Sequence, residues 1–414
     1  MQRSAAIALV VIAAACAPKS SGGPTGTLSA PEAVVASTLV AASVASATPA
    51  FPKPLEIARR HAPLYRFNAW VQGSTLLANA SEDYFPMSVK EYFDELAAGR
   101  VRVAIAEANG PVPGANEVRT FAPPTVEPTR IVGIPENISG DAPGSAPVYC
   151  HVYEDKTSRV RNADGSGTDL YYVEFWLFYG RDRSREKLFS RGPVLDLGGH
   201  RADWEMVEVA VELDLGPGGA YETTRVARAF YTGHNDKRSV ELQDLELVDD
   251  SGKRDPAGTH PVVYVSAGKH ASFPRAGHWK DIFGLLPEVE HDEVFLGNGA
   301  RWSSWNGTLH DFGDRSDPEF TPPSFAKLLD STLAAQKLTD WRSYGGRFGD
   351  DLPPVIPFLN VKLPFADSPR GPSHQGFFGS GAAKAQPWRS VVGSRGLALG
   401  PVADVVPAPV PVRR

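Results

Sequence analysis

Cysteine is nearly absent from this chain, with two in 414 residues, too few for a disulfide framework. Long apolar runs are missing as well, and none reaches the roughly 18–20 residues that a membrane-spanning helix needs. Neither sign of charge dominates: 42 Lys and Arg stand against 48 Asp and Glu, a net charge of −6, which gives no reason to expect a nucleic-acid partner. The chain also lacks a Gly-x-Ser-x-Gly elbow, a phosphate-binding glycine loop, a His-Glu-x-x-His helix and a dinucleotide fingerprint. Those absences argue against the common hydrolase, kinase and dehydrogenase routes. What the sequence has in excess is Gly and Pro, 39 and 36 residues, about 18% of the chain where about 12% is usual. Helix breakers at that density exclude a bundle or a coiled coil.

The N-terminus is organised differently from the rest. Residues 1–15 read as an export signal, with Arg3 as the positive start and an apolar stretch from Ala5 to Ala15. Ala13-Ala14-Ala15-Cys16 resembles the lipobox of bacterial lipoproteins, in which cleavage before the cysteine is followed by its acylation. The resemblance implies a lipidated Cys16 and residence in the bacterial cell envelope, attached to a membrane without crossing it. An ordinary secretory signal with an incidental cysteine is the alternative. Residues 16–50 are mostly Ala, Ser, Thr, Val, Pro and Gly and bury too little apolar surface to offset ordering entropy, so they are expected to form a tether. Residues 396–414 form a Pro/Val-rich tail.

Between these ends, residues 51–395 are expected to form one elaborated domain. Helical spacing occurs at Leu55–Arg60, Ser88–Ala98 and Pro323–Lys337. Strands are expected at Val148–Glu154, Leu170–Tyr179, Trp204–Leu213, Thr224–Thr232 and Pro261–Ser266, all rich in β-branched and aromatic residues. Leu170–Tyr179 is apolar on both faces apart from Glu174, the pattern of a central strand. No regular helices intervene between successive strands, so the expected fold is mainly β, an antiparallel β-sandwich with peripheral helices and long loops. Cys150 shares an apolar strand face with Val148 and Val152 and reads as an inert core thiol.

The most informative stretch is Gly199-His-Arg-Ala-Asp-Trp-Glu205, which runs on into Met206–Leu213. Strand alternation puts Asp203 and Glu205 on one face with Val207, Val209 and Val211, their Cα atoms roughly 6.6–7 Å apart. Two like charges at the end of an apolar face are costly unless neutralised. A divalent cation would neutralise both, and oxygen donors suit Ca²⁺, Mg²⁺ or Mn²⁺. A nitrogen from His200 would tilt the choice toward Mn²⁺ or Zn²⁺. Arginines from the preceding loop, pairing with the carboxylates in a purely structural network, are the alternative.

The same heptapeptide resembles the Gly-His-Arg-His-Asp-Trp-Glu motif of the necrosis- and ethylene-inducing peptide-like proteins, secreted β-sandwich cytolysins. The resemblance implies that His200, Asp203 and Glu205 bind a divalent cation used in lipid-headgroup recognition, with Asp182 as a further acidic ligand. Ala202 stands where that family has its second histidine. A longer resemblance rests on His61–Phe67, Glu82–Val89, Ala202–Glu205, His260–Pro274, Tyr344–Gly349, Gly371–Gln375 and Pro387-Trp388. In order and spacing these resemble the vacuolar protein sorting-associated protein 62 family, which implies a β-rich fold without a defined activity.

Other candidates surround this strand. His270 follows Pro261–Ser266 through a turn at Gly268, where it either joins the cluster as ligand or general base, or fixes the turn. Arg181, Arg183, Arg185, Lys187 and Arg191 concentrate positive charge before His200, which suits a phosphate-bearing substrate or anionic headgroup, or is a solvated loop. Trp302, Trp305 and Trp341 are either core or a platform for sugars. The functional expectation is an envelope lipoprotein whose sandwich binds a divalent metal and a lipid headgroup or glycan. The alternatives are a metal-dependent hydrolase built on His200, Asp203 and Glu205 with His270 activating water, and a structural lipoprotein.

Overall fold

The computed structural model describes residues 53–68, 85–98, 102–105, 129–132, 134, 138–187, 194–219, 221–233, 236–282, 290–333, 338–349, 351–352, 369–375, 377–382 and 385–387. The expected signal, Cys16, the tether, Arg191 and the Pro/Val tail lie outside them. Three α-helices are described: α1 (Pro54–His61), α2 (Val89–Ala98) and α3 (Pro323–Leu333). In chain order the strands begin with β1 (Leu64–Arg66), β2 (Arg102–Ile105), β3 (Thr129–Val132), β4 (Val148–Arg161), β5 (Gly167–Lys187) and β6 (Val194–Leu215). Next come β7 (Tyr221–Gly233), β8 (Asp236–Glu241), β9 (Leu247–Val248), β10 (His260–Val265), β11 (Ser272–Phe273) and β12 (Gly277–Ile282). The last are β13 (Glu290–Phe295), β14 (Arg301–Ser303), β15 (Leu309–Asp311), β16 (Asp351–Leu352) and β17 (Gln386–Pro387).

The fold is mainly β and sandwich-like. A large sheet runs β12-β13-β5-β6-β7-β8-β17, with β4 also paired to β5, β15 to β4, and β16 to β6. A smaller sheet runs β11-β10-β1-β14, with β9 also on β10. Most pairings are antiparallel as expected, but β1–β10, β4–β15 and β8–β17 are parallel. These join strands far apart in sequence, which no local turn constrains to run antiparallel.

Alternation along β5 and β6 decides what covers each face of the large sheet. Val173, Phe175, Leu177, Val207, Val209 and Val211 enter a core shared with Tyr65, Val262, Val263 and Trp302 of the smaller sheet. Trp176, Phe178, Trp204 and Met206 enter a second core with Tyr92 and Phe93 of α2, Phe325 of α3, and Trp341 and Phe348. Both faces of the central strands are therefore buried, which is why Leu170–Tyr179 carries no polar face. Each fully buried large apolar side chain contributes about 1.5–3 kcal/mol. Trp302, Trp305 and Trp341 are all buried, so they serve as core residues. Cys150 lies in the first core as a free thiol, and burial raises its pKa well above the ordinary value.

Polar side chains enter this interior only with partners. Glu174 and Glu208 face each other across β5 and β6, both fully buried. Lys237 Nζ donates to Glu208 Oε1 at 3.0 Å, to Ser380 Oγ at 3.0 Å and to the Gly381 carbonyl at 2.7 Å. Tyr153 donates to Glu208 Oε2 at 2.9 Å, and the N–H groups of Gly379 and Trp176 donate to Glu174. The network thus fastens residues 379–381 onto the sheet.

Burial disfavours charge on Glu208 more than Lys237 favours it, and Glu174 opposes ionisation further, so its pKa is pushed up to about 7 from an ordinary 4.5. Between those values the native chain holds a proton that the unfolded chain has released. The stabilising contribution is therefore complete below about pH 4.5 and is lost as pH rises through about 7. In paired melting series, wild type should lose stability relative to Glu208→Gln across that window, with a ceiling of about 3 kcal/mol. A difference between the two proteins that does not change with pH would contradict a buried, titrating Glu208.

Candidate functional site

Past the Tyr179↔Asp203 pair the β5–β6 ladder leaves the apolar interior and turns polar. The register continues through Arg181↔Arg201, Asp182↔His200 and Arg183↔Gly199 to Ser184↔Gly198, shifts by one residue, and runs on from Arg185↔Asp196 to Lys187↔Val194. The cationic stretch expected as a loop is therefore mostly strand: Arg181, Arg183, Arg185 and Lys187 all lie on β5, in one long hairpin with β6. Polar residues obscured this extension because strand signals rest on β-branched and aromatic residues.

Ala202 interrupts the regular pleat. Its φ is +59°, in the left-handed region that costs a non-glycine residue about 1–2 kcal/mol. Strict alternation would send His200 and Asp203 to opposite faces. The kink between them brings both to one place: His200 Nε2 lies 3.2 Å from Asp182 Oδ2, and Asp182 and Asp203 have carboxylate oxygens within 4.8 Å of each other. Gly349 packs directly over this kink, where a Cβ would come 1.8 Å from the Arg201 carbonyl oxygen, so no other residue fits.

The smaller sheet supplies the other wall. After β10, Ser266 N–H donates to the Ala271 carbonyl and His270 N–H to the Ser266 carbonyl, closing a tight turn with Gly268 at φ +72°. His270 itself has φ +59°. Ala202 and His270 are the two non-glycine residues with positive φ among the described residues, and both frame this site. Left-handed strain of this kind concentrates where surrounding structure must aim a functional side chain. The turn directs Lys269 and His270 inward, with 9% and 0% of their surface exposed. The His270 ring stacks on Tyr179 at 3.8 Å between centroids and 5° between planes.

The polar contacts divide by oxygen atom. His270 Nδ1 lies 3.1 Å from Asp203 Oδ2, and Trp204 N–H donates to Asp203 Oδ1 at 2.9 Å. Burial alone would raise the Asp203 pKa. The His270 hydrogen bond, the charges of His200 and His270, and the Trp204 N–H outweigh it and hold the carboxyl below its ordinary value. Asp182 Oδ2 faces two nitrogens, His200 Nε2 at 3.2 Å and the Lys269 ammonium at 3.6 Å. Its Oδ1 is buried and accepts no hydrogen bond from the described residues. His200 Nδ1 lies 2.8 Å from the Ala202 carbonyl. A carbonyl only accepts, so Nδ1 is the donor in that contact.

Asp182, Asp203 and His270 offer one ligand atom each, all within 4.8 Å of one another. Donors bound at about 2.0–2.4 Å around one ion stand about 3–4 Å apart, so small side-chain rotations would close the set. Of the ligands expected from sequence, Asp182 and Asp203 are in this group and His270 joins them. His200 stands behind Asp182, and half-buried Glu205, opposite Leu177 on the neighbouring strand, is not one of the three. Arg181 is half-buried beside Asp182; Arg183 and Arg185 are placed by backbone alone. Lys269 was not anticipated, since a single lysine in a turn carries no signal of burial.

The kink makes a direct prediction. Ala202→Gly should melt no lower than wild type, because glycine tolerates positive φ. Ala202→Val should lose about 1–2 kcal/mol or more, because a β-branched residue is poorly accommodated there. Equal melting of the two variants would remove the left-handed residue from the account. Comparisons of the chain with protein-family models, with curated proteins and with solved structures return no match.

Proposed function

We propose that the protein binds a divalent metal ion through Asp182, Asp203 and His270, at the rim where the two sheets meet. The observation that carries this reading is the convergence of three buried ligand groups, one of which, Asp182, has an Oδ1 that accepts no hydrogen bond from the described residues. A network serving only stability would be expected to satisfy both oxygens of a buried carboxylate. Two carboxylates and one imidazole suit Mn²⁺, with Zn²⁺ as runner-up and Ca²⁺ or Mg²⁺ favoured less by the nitrogen. His200 and Lys269 would orient Asp182 from its far oxygen, as outer partners orient metal-bound carboxylates. When bound, the ion would supply a Lewis-acidic centre for a ligand oxygen.

Recognition of a lipid headgroup through this ion fits the anchor expected at Cys16. A glycan is favoured less, because Trp302, Trp305 and Trp341 are committed to the core and offer no stacking platform. One observation supports a hydrolytic reading as well. His270 is oriented by a carboxylate behind Nδ1 and by the Tyr179 ring, as a general base is.

Chelator-stripped full-length protein should melt higher when Mn²⁺ or Zn²⁺ is restored, by about 2.7 kcal/mol of stability at a hundredfold excess over Kd. Asp182→Asn and His270→Gln should abolish the shift, whereas Glu205→Gln should retain it. Metal content of the folded fraction provides the same readout for any variant that is itself destabilised. If neither these ions nor Ca²⁺ or Mg²⁺ shifts the melting of wild type, the metal reading is wrong. Turnover of a phosphate or carboxylate ester by wild type but not by His270→Gln would select hydrolysis over binding.

A further inference from the structure

We propose that residues 377–382 form a pH-dependent latch on the large sheet, closed in acid and released as pH rises through neutrality. The segment, Phe377-Phe-Gly-Ser-Gly-Ala382, carries no charge of its own. It is fastened to β4, β5 and β8 through titratable side chains. Gly379 N–H donates to Glu174 Oε1 and Gly381 N–H to the Tyr153 hydroxyl, both at 2.6 Å. Ser380 Oγ and the Gly381 carbonyl accept from Lys237 Nζ at 3.0 and 2.7 Å. The Phe378 ring stacks on His151, 4.3 Å between centroids and 3° between planes. Gly379 and Gly381 take φ of +63° and +51°, and a Cβ on Gly381 would come 3.0 Å from the Tyr172 ring. The closed form is thus built for glycine, and one buried ammonium serves both the latch and Glu208.

The groups around that ammonium do not balance once both carboxylates ionise. Glu174 and Glu208 stand directly opposite each other on β5 and β6, where like charges repel. Against them are Lys237 of β8 and His151 of β4, whose Nδ1 lies 3.3 Å from Glu174 Oε2. Tyr153 of β4 reaches Glu208, and Tyr172 of β5 lies against the Ala382 backbone. On β7, Phe230 lies under the Lys237 ammonium at 4.9 Å, and Arg228 is engaged by Glu241 of β8. Asp155, farther along β4, is held by Thr157 and Ser158. With His151 neutral, two negative charges therefore face one positive, and the side chains of Glu174, Glu208 and Lys237 have no exposed surface. One proton on Glu208 removes the surplus, as one of two neighbouring buried carboxylates commonly does. The 2.9 Å contact with Tyr153 persists with either oxygen donating.

Opening the latch takes two partners from Lys237 and one from Glu174, and it admits water to the cluster. Glu208 then ionises without the burial that pushes its carboxyl up to about 7 from an ordinary 4.5. The closed form is favoured in full below about 4.5, and the advantage is lost as pH rises through about 7. Local opening of this kind exposes little surface and needs no melting of the sheet.

Amide hydrogen exchange of the full-length protein, read on peptides spanning 377–382, tests this. These amides should exchange faster than those of Leu170–Tyr179. After correction for base-catalysed exchange, their protection should fall about tenfold between about pH 5.5 and about pH 8. Low concentrations of urea should leave that fall unchanged, because local opening has little dependence on denaturant. Glu208→Gln should show the same protection at both pH values, whereas His151→Gln should retain the wild-type fall. If Glu208→Gln does not fold, wild type and His151→Gln decide. Protection that is flat with pH in wild type overturns the latch. So does protection that follows Leu170–Tyr179 in urea, which would mark global unfolding. Loss of the fall in His151→Gln would move the titration to the histidine and overturn the role of Glu208.

Discussion

The β5–β6 ladder is the constraint on which the rest of the molecule depends. It runs without a break in strand from Gly167↔Leu215 to Lys187↔Val194, and it pairs on its outer sides with β4 and β13 and with β7 and β16. Because the smaller sheet covers one face and the helical layer the other, the middle of the ladder has no solvent side. Apolar residues must fill both faces there, and a charge is admitted only with a complete set of partners. Glu174 and Glu208 satisfy that condition through Lys237, Tyr153, Trp176 and Gly379. Burial raises the pKa of Glu208 by more than the paired lysine lowers it.

The same ladder carries the candidate site at the end where its apolar filling stops. Two strained residues lie there and at no other described non-glycine position. Ala202 breaks the pleat of β6, and His270 closes the turn leaving β10. At about 1–2 kcal/mol each, these conformations persist only because packing over-determines them. Gly349 against the Arg201 carbonyl does so for the first, and the Tyr179 ring against His270 contributes to the second. A fold that needed only stability could place glycine at both positions. Retaining side chains there converts strain into aim, since the kink delivers Asp203 and the turn delivers His270.

These features differ in how far residue types reveal them. The central strands were legible because burial on both faces demands an unbroken apolar run, and Leu170–Tyr179 is one. The continuation of that strand through Arg181, Asp182, Arg183 and Arg185 was not, because hydrogen-bonded backbone leaves no trace in polar side chains. Alternation correctly grouped Asp203 with the valine row but paired it with Glu205. Its partners instead come from β5 and from the turn after β10, which the sequence separates from Asp203 by 21 and 67 positions. The reason is physical: the left-handed residue at 202 resets alternation, and alanine gives no warning of positive φ as glycine or asparagine would. Acidic and histidine residues near Trp204 were therefore identifiable as candidates, while their grouping needed the backbone.

The asymmetry of Asp182 reconciles a salt-bridged reading of the acidic residues with a metal-binding one. Its Oδ2 faces His200 and Lys269, as a structural ion pair would, and its Oδ1 accepts no hydrogen bond from the described residues. An ion pair on Oδ2 can therefore hold the carboxylate in place and still leave Oδ1 for the metal that we propose.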